Sequence, residues 1–213
     1  MQLRINEIFS SIQGESTYAG RPCAFVRLTG CNLRCLYCDT KYAYHEGRDL
    51  PVNEIMAQVT ACGPRLVLLT GGEPLLQPHT PALADLLLRA GFEVLVETNG
   101  TMDISGLPPG VIRIVDVKCP GSGEAGSFLR SNLDYLTPTD EIKFVISSQE
   151  DIDYAVNMVQ RDGLDSRAVI LFSPVFGVMP PASLAASILA SGLQVRLQLQ
   201  LHKYIWSPES RGV

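Results

Sequence analysis

CAFVRLTGCNLRCLYCDT, residues 23 to 40, opens as an apolar run and ends in three cysteines at spacing C-x3-C-x2-C. The run CAFVRLT (23–29) is strand-sized and nearly all apolar, as strands covered on both faces are. Six later runs repeat the pattern: RLVLLT (65–70), FEVLVET (92–98), VIRIVDVK (111–118), EIKFVIS (141–147), AVILFS (168–173) and LQVRLQLQL (193–201). Between them lie helical stretches. PVNEIMAQVTAC (51–62) has a proline at its start, and PALADLLLRAG (81–91), SQEDIDYAVNMVQRDG (148–163) and PASLAASILASG (181–192) each close on glycine, a helix-stop signal.

Strand–helix alternation calls for right-handed crossovers and a parallel sheet. About six such units fall short of the eight-unit barrel of ~250 residues. The fold expected is therefore α/β, a partial (β/α)6-type barrel with N- and C-terminal extensions lining its site. No linker or repeat divides the chain, so residues 1–213 are expected to form one domain. Residues 1–22 and 119–138 read as loops or excursions.

Bulk properties exclude several classes. Apolar residues make up 46% and charged residues 18%, a globular balance. The formal charge is −5 with no Lys/Arg block, which argues against nucleic acid as a partner. No apolar run approaches the ~20 residues that span a bilayer, and the N-terminus has no secretory pattern. The expectation is a cytoplasmic protein with no membrane partner. Six cysteines, three of them crowded together, are too sparse for a disulfide scaffold.

In parallel barrels the functional loops follow the C-terminal ends of strands. Four motifs fall there: the cysteine loop, TGGEP (70–74), ETNG (97–100) and DVKCPGSGE (116–124). Thiolates select zinc, copper(I) or iron–sulfur clusters. A structural zinc would want a second Cys/His pair, which the three histidines do not provide. A fully cysteine-ligated cluster would want a fourth thiolate, available in principle from Cys119. The remaining option is a cluster with one iron left open for a small molecule. Two glycines before Glu73 allow close backbone approach, and its carboxylate suits a cation. Arg27, inside an apolar strand, needs a partner: a ligand carboxylate or a structural ion pair.

The triplet, with Tyr37 before its last cysteine, resembles that of the radical S-adenosylmethionine enzymes, and TGGEP resembles their Gly-Gly-Glu-Pro motif. The flanks, IFSSIQGESTYAGRPCAFVRLTGCNLRCLYCDT at the N-terminus and LQLHKYIW near the C-terminus, resemble the 7-carboxy-7-deazaguanine synthase family of the 7-deazapurine (queuosine precursor) pathway. The resemblance implies a lyase that contracts the ring of 6-carboxy-5,6,7,8-tetrahydropterin with loss of ammonia. It implies a [4Fe–4S] cluster on Cys31, Cys35 and Cys38, Mg²⁺ on Thr40, and S-adenosylmethionine contacts at Gly72, Glu73, Asp116, Val117, Lys118 and Ser173. Substrate contacts carried over are Ile12, Gln13, Gly14, Glu15, Arg27, Thr70, His202 and the C-terminal carboxylate of Val213. No catalytic side chain is implied beyond the cofactors. A homodimer and an electron donor such as flavodoxin or ferredoxin belong to the same expectation. Two rivals stay open: another small radical enzyme such as a glycyl-radical activase, and a redox-sensing iron–sulfur or zinc module without activity.

Overall fold

The computed structural model describes residues 1–213 and is built on one nine-stranded sheet. Its strands are β1 (Gln2–Ile12), β2 (Pro22–Leu28), β3 (Arg48–Pro51), β4 (Leu66–Gly71), β5 (Glu93–Thr98), β6 (Ile112–Val117), β7 (Glu141–Ile146), β8 (Val169–Pro174) and β9 (Val195–Leu197). The spatial order is β3-β1-β2-β4-β5-β6-β7-β8-β9. From β2 to β9 every neighbouring pair is parallel, while β1 runs antiparallel to both β2 and β3. The sheet does not close, so the partial barrel expected from the sequence is what forms.

The helices are α1 (Val52–Cys62), α2 (Thr80–Arg89), α3 (Gln149–Asp162), α4 (Pro181–Ser191) and α5 (His202–Ile205). Local chemistry sets their ends. The Ser148 hydroxyl caps α3 by accepting from the Asp151 N–H, two acidic residues sit in its first turn, and Gly163 ends it at φ 58°. No helix is long and apolar enough to cross a membrane.

Three expectations need correction. Residues 2–12 are a strand, not a loop, and Arg48–Pro51 adds a short edge strand beside it. The last strand is only Val195–Leu197; beyond it the side chains of Gln198 and Gln200 donate to Glu15. The crossovers from β5 to β6 and from β6 to β7 contain no α-helix; the second holds only 3₁₀ turns at Pro120–Ser122 and Arg130–Tyr135.

Period-two alternation divides the sheet into two faces. On the outer face Val67, Leu69, Val94 and Val96 pack with Ile55 and Val59 of α1 and Leu83 and Leu87 of α2. Further along, Phe144 and Phe172 meet edge to face at 5.6 Å in a core shared with Ile152 and Val159 of α3 and Leu184 of α4. The inner face has an apolar floor of Cys23, Phe25, Leu66, Leu68, Leu95 and Ile114, onto which Phe9 stacks 4.9 Å from Phe25. One step further along the same strands the same alternation presents Arg27, Thr70, Glu97, Asp116, Lys143 and Ser173. The concave interior thus has a greasy base and a polar upper tier.

Both chain ends fold over that tier. The hairpin loop between β1 and β2 crosses to β7, where Glu15 meets Lys143 and Thr17 bonds Glu141. The C-terminal segment docks against it through the Leu201 N–H to Gly14 carbonyl bond at 2.9 Å. A Cβ on Gly14 would run into the His202 ring, so glycine is required at this crossing.

Candidate active site

The cysteine loop follows β2 and is held from two sides. The Leu36 N–H donates to the Ser122 carbonyl, and the Arg34 N–H to Glu124 Oε1 at 2.6 Å. On the other side the Glu73 N–H donates to the Gly30 carbonyl at 2.7 Å. Gly72 touches this loop so closely that a Cβ would lie 2.7 Å from Cys31 Cβ. The two glycines of TGGEP thus let the turn after β4 press against the triplet.

Cys31, Cys35 and Cys38 are half-buried free thiols. Burial pushes Cys31 and Cys35 up, Cys35 to about 11 even though the Lys118 ammonium pulls it back. Cys119 is fully buried and packs in the outer core, so it is no fourth member of this group. No three His, Cys, Asp or Glu side chains converge on a position for one ion. Three half-buried thiols on one loop, with no fourth cysteine beside them, are a soft donor set that suits an iron–sulfur cluster with one iron left open.

Glu73 is fully buried, and three donors from the chain converge on its carboxylate. Its oxygens accept from Leu75 N–H (2.9 Å), Thr98 Oγ1 (2.8 Å) and Asn99 N–H (2.6 Å). Burial raises its pKa against the pull of these donors. Asn99 in turn donates to Asn32 Oδ1 at 3.0 Å and approaches Cys31 Sγ at 3.9 Å. ETNG is therefore part of the same wall as the triplet.

The expected strand residues meet on the inner face, with one exception. Arg27 Nε pairs with Glu7 Oε1 at 2.7 Å, its partner across the β1–β2 ladder, and its two Nη groups make no hydrogen bond within the chain. Thr70 Oγ1 donates to Glu97. Asp116 Oδ2 accepts from Lys118 Nζ at 2.8 Å. Ser173 Oγ lies 3.4 Å from Gln198 Nε2. The exception is Val117, whose side chain turns outward into the core with Phe144.

In the loops, Gln13 Oε1 accepts from the Glu15 N–H, and Ile12 ends β1 beside it. Glu15 accepts from Lys143, Gln198 and Gln200. Burial alone would raise its carboxyl, but Lys143, Gln200 and His202 outweigh that and hold it well below the usual range. Burial holds the His202 imidazole below its ordinary value. Thr40 Oγ1 donates to Asp39 Oδ1 at 3.0 Å, and Asp39 pairs with Lys203 at 2.6 Å. Val213 is partly exposed, and its carboxylate enters no ion pair.

Two members of this tier were given no role in the sequence reading: Lys143, and Glu97, which stood there only as the first residue of ETNG. The signal was present: each is a charged residue at an inner-face position of an otherwise apolar strand, as Arg27 is. Six buried side-chain polar atoms have no partner, and two of them, Asp116 Oδ1 and Gln13 Nε2, belong to residues of this site. A buried polar atom left open is what a ligand-lined cavity offers. A cleft of about 200 Å³ between Phe176, Met179, Leu199 and Tyr204 borders Gln200 at the rim. A wider hollow of about 370 Å³ lies at the opposite ends of β8 and β9 and holds none of the motif residues.

Residues 25–178 match the model of the radical SAM superfamily. The 7-carboxy-7-deazaguanine synthase of Koribacter versatilis is 46% identical, over 99% of this chain and 100% of its own length. That of Chlorobaculum tepidum is 44% identical, over 99% and 97%. The crystal structure of QueE from Escherichia coli superposes with a TM-score of 0.79 at 26% identity, covering 95% of both chains. A superfamily match over most of the chain, full-length relatives of one name and a shared fold agree with the wall of thiols, glycines and carboxylates described above. The membership implies a [4Fe–4S] cluster, S-adenosylmethionine and a small-molecule substrate, and the chain belongs to the 7-carboxy-7-deazaguanine synthase family, lyases of the radical SAM superfamily.

Proposed function

We propose that this chain rearranges 6-carboxy-5,6,7,8-tetrahydropterin to 7-carboxy-7-deazaguanine with loss of ammonia, acting as one domain. The observation that carries the reading is the inner-face tier, where the free Nη edge of Arg27 and the acceptors of Glu15 stand over an apolar floor. A carboxylated, N–H-rich bicyclic ring needs such a set: a cation for its carboxylate, acceptors for its donor edge and a flat apolar base.

Cys31, Cys35 and Cys38 would hold the cluster. Gly72, Glu73, Asp116, Lys118 and Ser173, with the backbone of Val117, would hold S-adenosylmethionine beside it. When bound, cluster and S-adenosylmethionine together supply the one-electron chemistry that starts the rearrangement. The chain does the rest. Gly72 lets the TGGEP turn lie flat against the cysteine loop, and Asp116 offers an open acceptor at Oδ1. Arg27, Thr70, Ile12, Gln13, Gly14, Glu15, His202 and the Val213 carboxylate orient the pterin, and the two chain ends over the tier exclude water.

Mg²⁺ at Thr40 belongs to the same proposal. The metal prefers oxygen donors and keeps waters or substrate oxygens in its shell, and the Thr40 hydroxyl sits beside an Asp39 carboxylate. A homodimer, a cytoplasmic setting and a donor such as flavodoxin or ferredoxin complete it.

The test is a binding one. Anaerobic calorimetry of the cluster-loaded protein with S-adenosylmethionine should show saturable pterin binding, weakened at least tenfold by Arg27→Gln. Equal affinity in that variant contradicts the assignment of the carboxylate to Arg27.

A further inference from the structure

Lys143 lies in the middle of β7 on the inner face, flanked in sequence by Ile142 and Phe144, which point into the outer core. It is only 5% exposed. Its ammonium donates to Glu15 Oε2 at 2.9 Å and to Glu97 Oε1, and lies 3.7 Å from Asp116 Oδ2. The far oxygen of Glu97 accepts from Thr70, and that of Glu15 from Gln200. One ammonium therefore joins the β1–β2 hairpin loop, β5, β6 and, through Thr70, β4.

No other cation pairs with Glu15 or Glu97, and Lys118 is engaged by Asp116. Three carboxylates share two ammoniums, leaving one negative charge in excess in a buried tier. Such a surplus suits a ligand that presents N–H donors, as the aminopyrimidinone edge of a pterin does. We propose that Lys143 is a positioning residue for the substrate: it holds the carboxylates of Glu15 and Glu97 as a fixed pair of acceptors for that donor edge. The proposal rests on the reading of Glu15 as a substrate contact.

Without the ammonium, two adjacent, partly buried carboxylates repel, and one takes up a proton. A protonated carboxyl donates where the pterin needs an acceptor. The groups facing this pair are Lys143, Gln198, Gln200 and His202, with Asp116 and Lys118 across the ammonium, Asp39 beyond, and the buried Glu141 on β7 beside Lys143 and Glu97. Burial holds the His202 imidazole below its ordinary value, so a response between pH 7 and 9 in the variant points to the carboxylates.

The experiment titrates 6-carboxytetrahydropterin and, separately, S-adenosylmethionine into cluster-loaded enzyme under anaerobic conditions, from pH 7 to 9. Lys143→Met is expected to raise the pterin Kd at least tenfold, with S-adenosylmethionine Kd within threefold of the parent and iron content unchanged. Its pterin affinity should improve with rising pH while the parent stays flat. Lys143→Arg, which keeps the cation, should remain within about threefold. If Lys143→Met yields no soluble protein, Lys143→Met/Glu97→Gln, which removes one charge of each sign, carries the same expectation for pterin and cofactor. Parent-like pterin affinity without the cation, an equal loss of both ligands, or Lys143→Arg binding as weakly as Lys143→Met overturns the proposal. Glu15→Gln separates the two readings. If it weakens pterin binding and Lys143→Met does not, only the Lys143 role fails; if it has no effect, the substrate reading of Glu15 fails and the Lys143 role with it.

Discussion

The carboxylate of Glu73 accepts the backbone N–H of Asn99 at 2.6 Å, tying the turn after β4 to the loop after β5. The same carboxylate holds Thr98 and Leu75, so one buried side chain fixes two of the four motif loops. Glu73→Gln turns one oxygen into a donor facing other donors. It should cost about 1–3 kcal/mol of stability, the penalty for an unsatisfied buried group. Calorimetric unfolding should show a Tm lower by several degrees, with S-adenosylmethionine binding weakened as well. An unchanged Tm would remove the latch role.

The thiols give a pH prediction whose sign follows from burial. Cys35, pushed up to about 11, is protonated at neutral pH in the cluster-free chain. Thiolate, the reactive and ligating form, becomes about tenfold more abundant per pH unit below that value. Alkylation of Cys35 should therefore accelerate about tenfold per pH unit, about a hundredfold from pH 7 to 9, and cluster assembly, which releases the thiol protons, should go further as pH rises. Loading the cluster should protect Cys31, Cys35 and Cys38 as a set. Cys119→Ala should keep full iron, because that thiol packs in the outer core. Mass spectrometry of labelled protein and iron analysis check both statements.

Asp140 carries the opposite end of β7. Fully buried, it accepts from Arg113 N–H at 2.8 Å, Thr137 N–H at 2.8 Å and Arg113 Nη1 at 3.2 Å. Removing one partner of such a pair strands the other charge, at a cost of about 3–5 kcal/mol. Asp140→Ala should show that loss in denaturant unfolding. Asp85→Ala, which breaks an exposed pair with Arg89 on α2, should change little.

In the proposed Mg²⁺ site Thr40 would offer one hydroxyl to a metal that prefers oxygen donors. Thr40→Ala should raise the Mg²⁺ concentration needed for half-maximal turnover at least tenfold, and Thr40→Ser should stay near the parent. A Mg²⁺ titration of both variants decides it, and identical curves would remove Thr40 from the metal site.

Most of the fold was legible because its strands are covered on both faces and read as apolar runs, with glycines closing three of the helices. β1 was not, for a physical reason. A register shift between Ile5 and Glu7 breaks the alternation that a period-two reading depends on. β3 is four residues long, largely polar and at the edge, so it carries little pattern. In the site, the loop motifs announced themselves by residue type. Lys143 did not, because its strand looks largely apolar until it is split into its two faces, and Glu97 stood in the ETNG motif without a role of its own. The outward turn of Val117 follows from the same alternation, since it neighbours the inward Asp116.

The central claim is the reaction, and product analysis tests it most directly. Cluster-loaded enzyme is incubated without oxygen with reductant, S-adenosylmethionine, Mg²⁺ and 6-carboxy-5,6,7,8-tetrahydropterin, and products are read by mass, with Cys35→Ala as the blank. The expected result is 7-carboxy-7-deazaguanine from the parent and none from the blank. Cleavage of S-adenosylmethionine with the pterin left intact, at full iron content, would contradict the substrate assigned here.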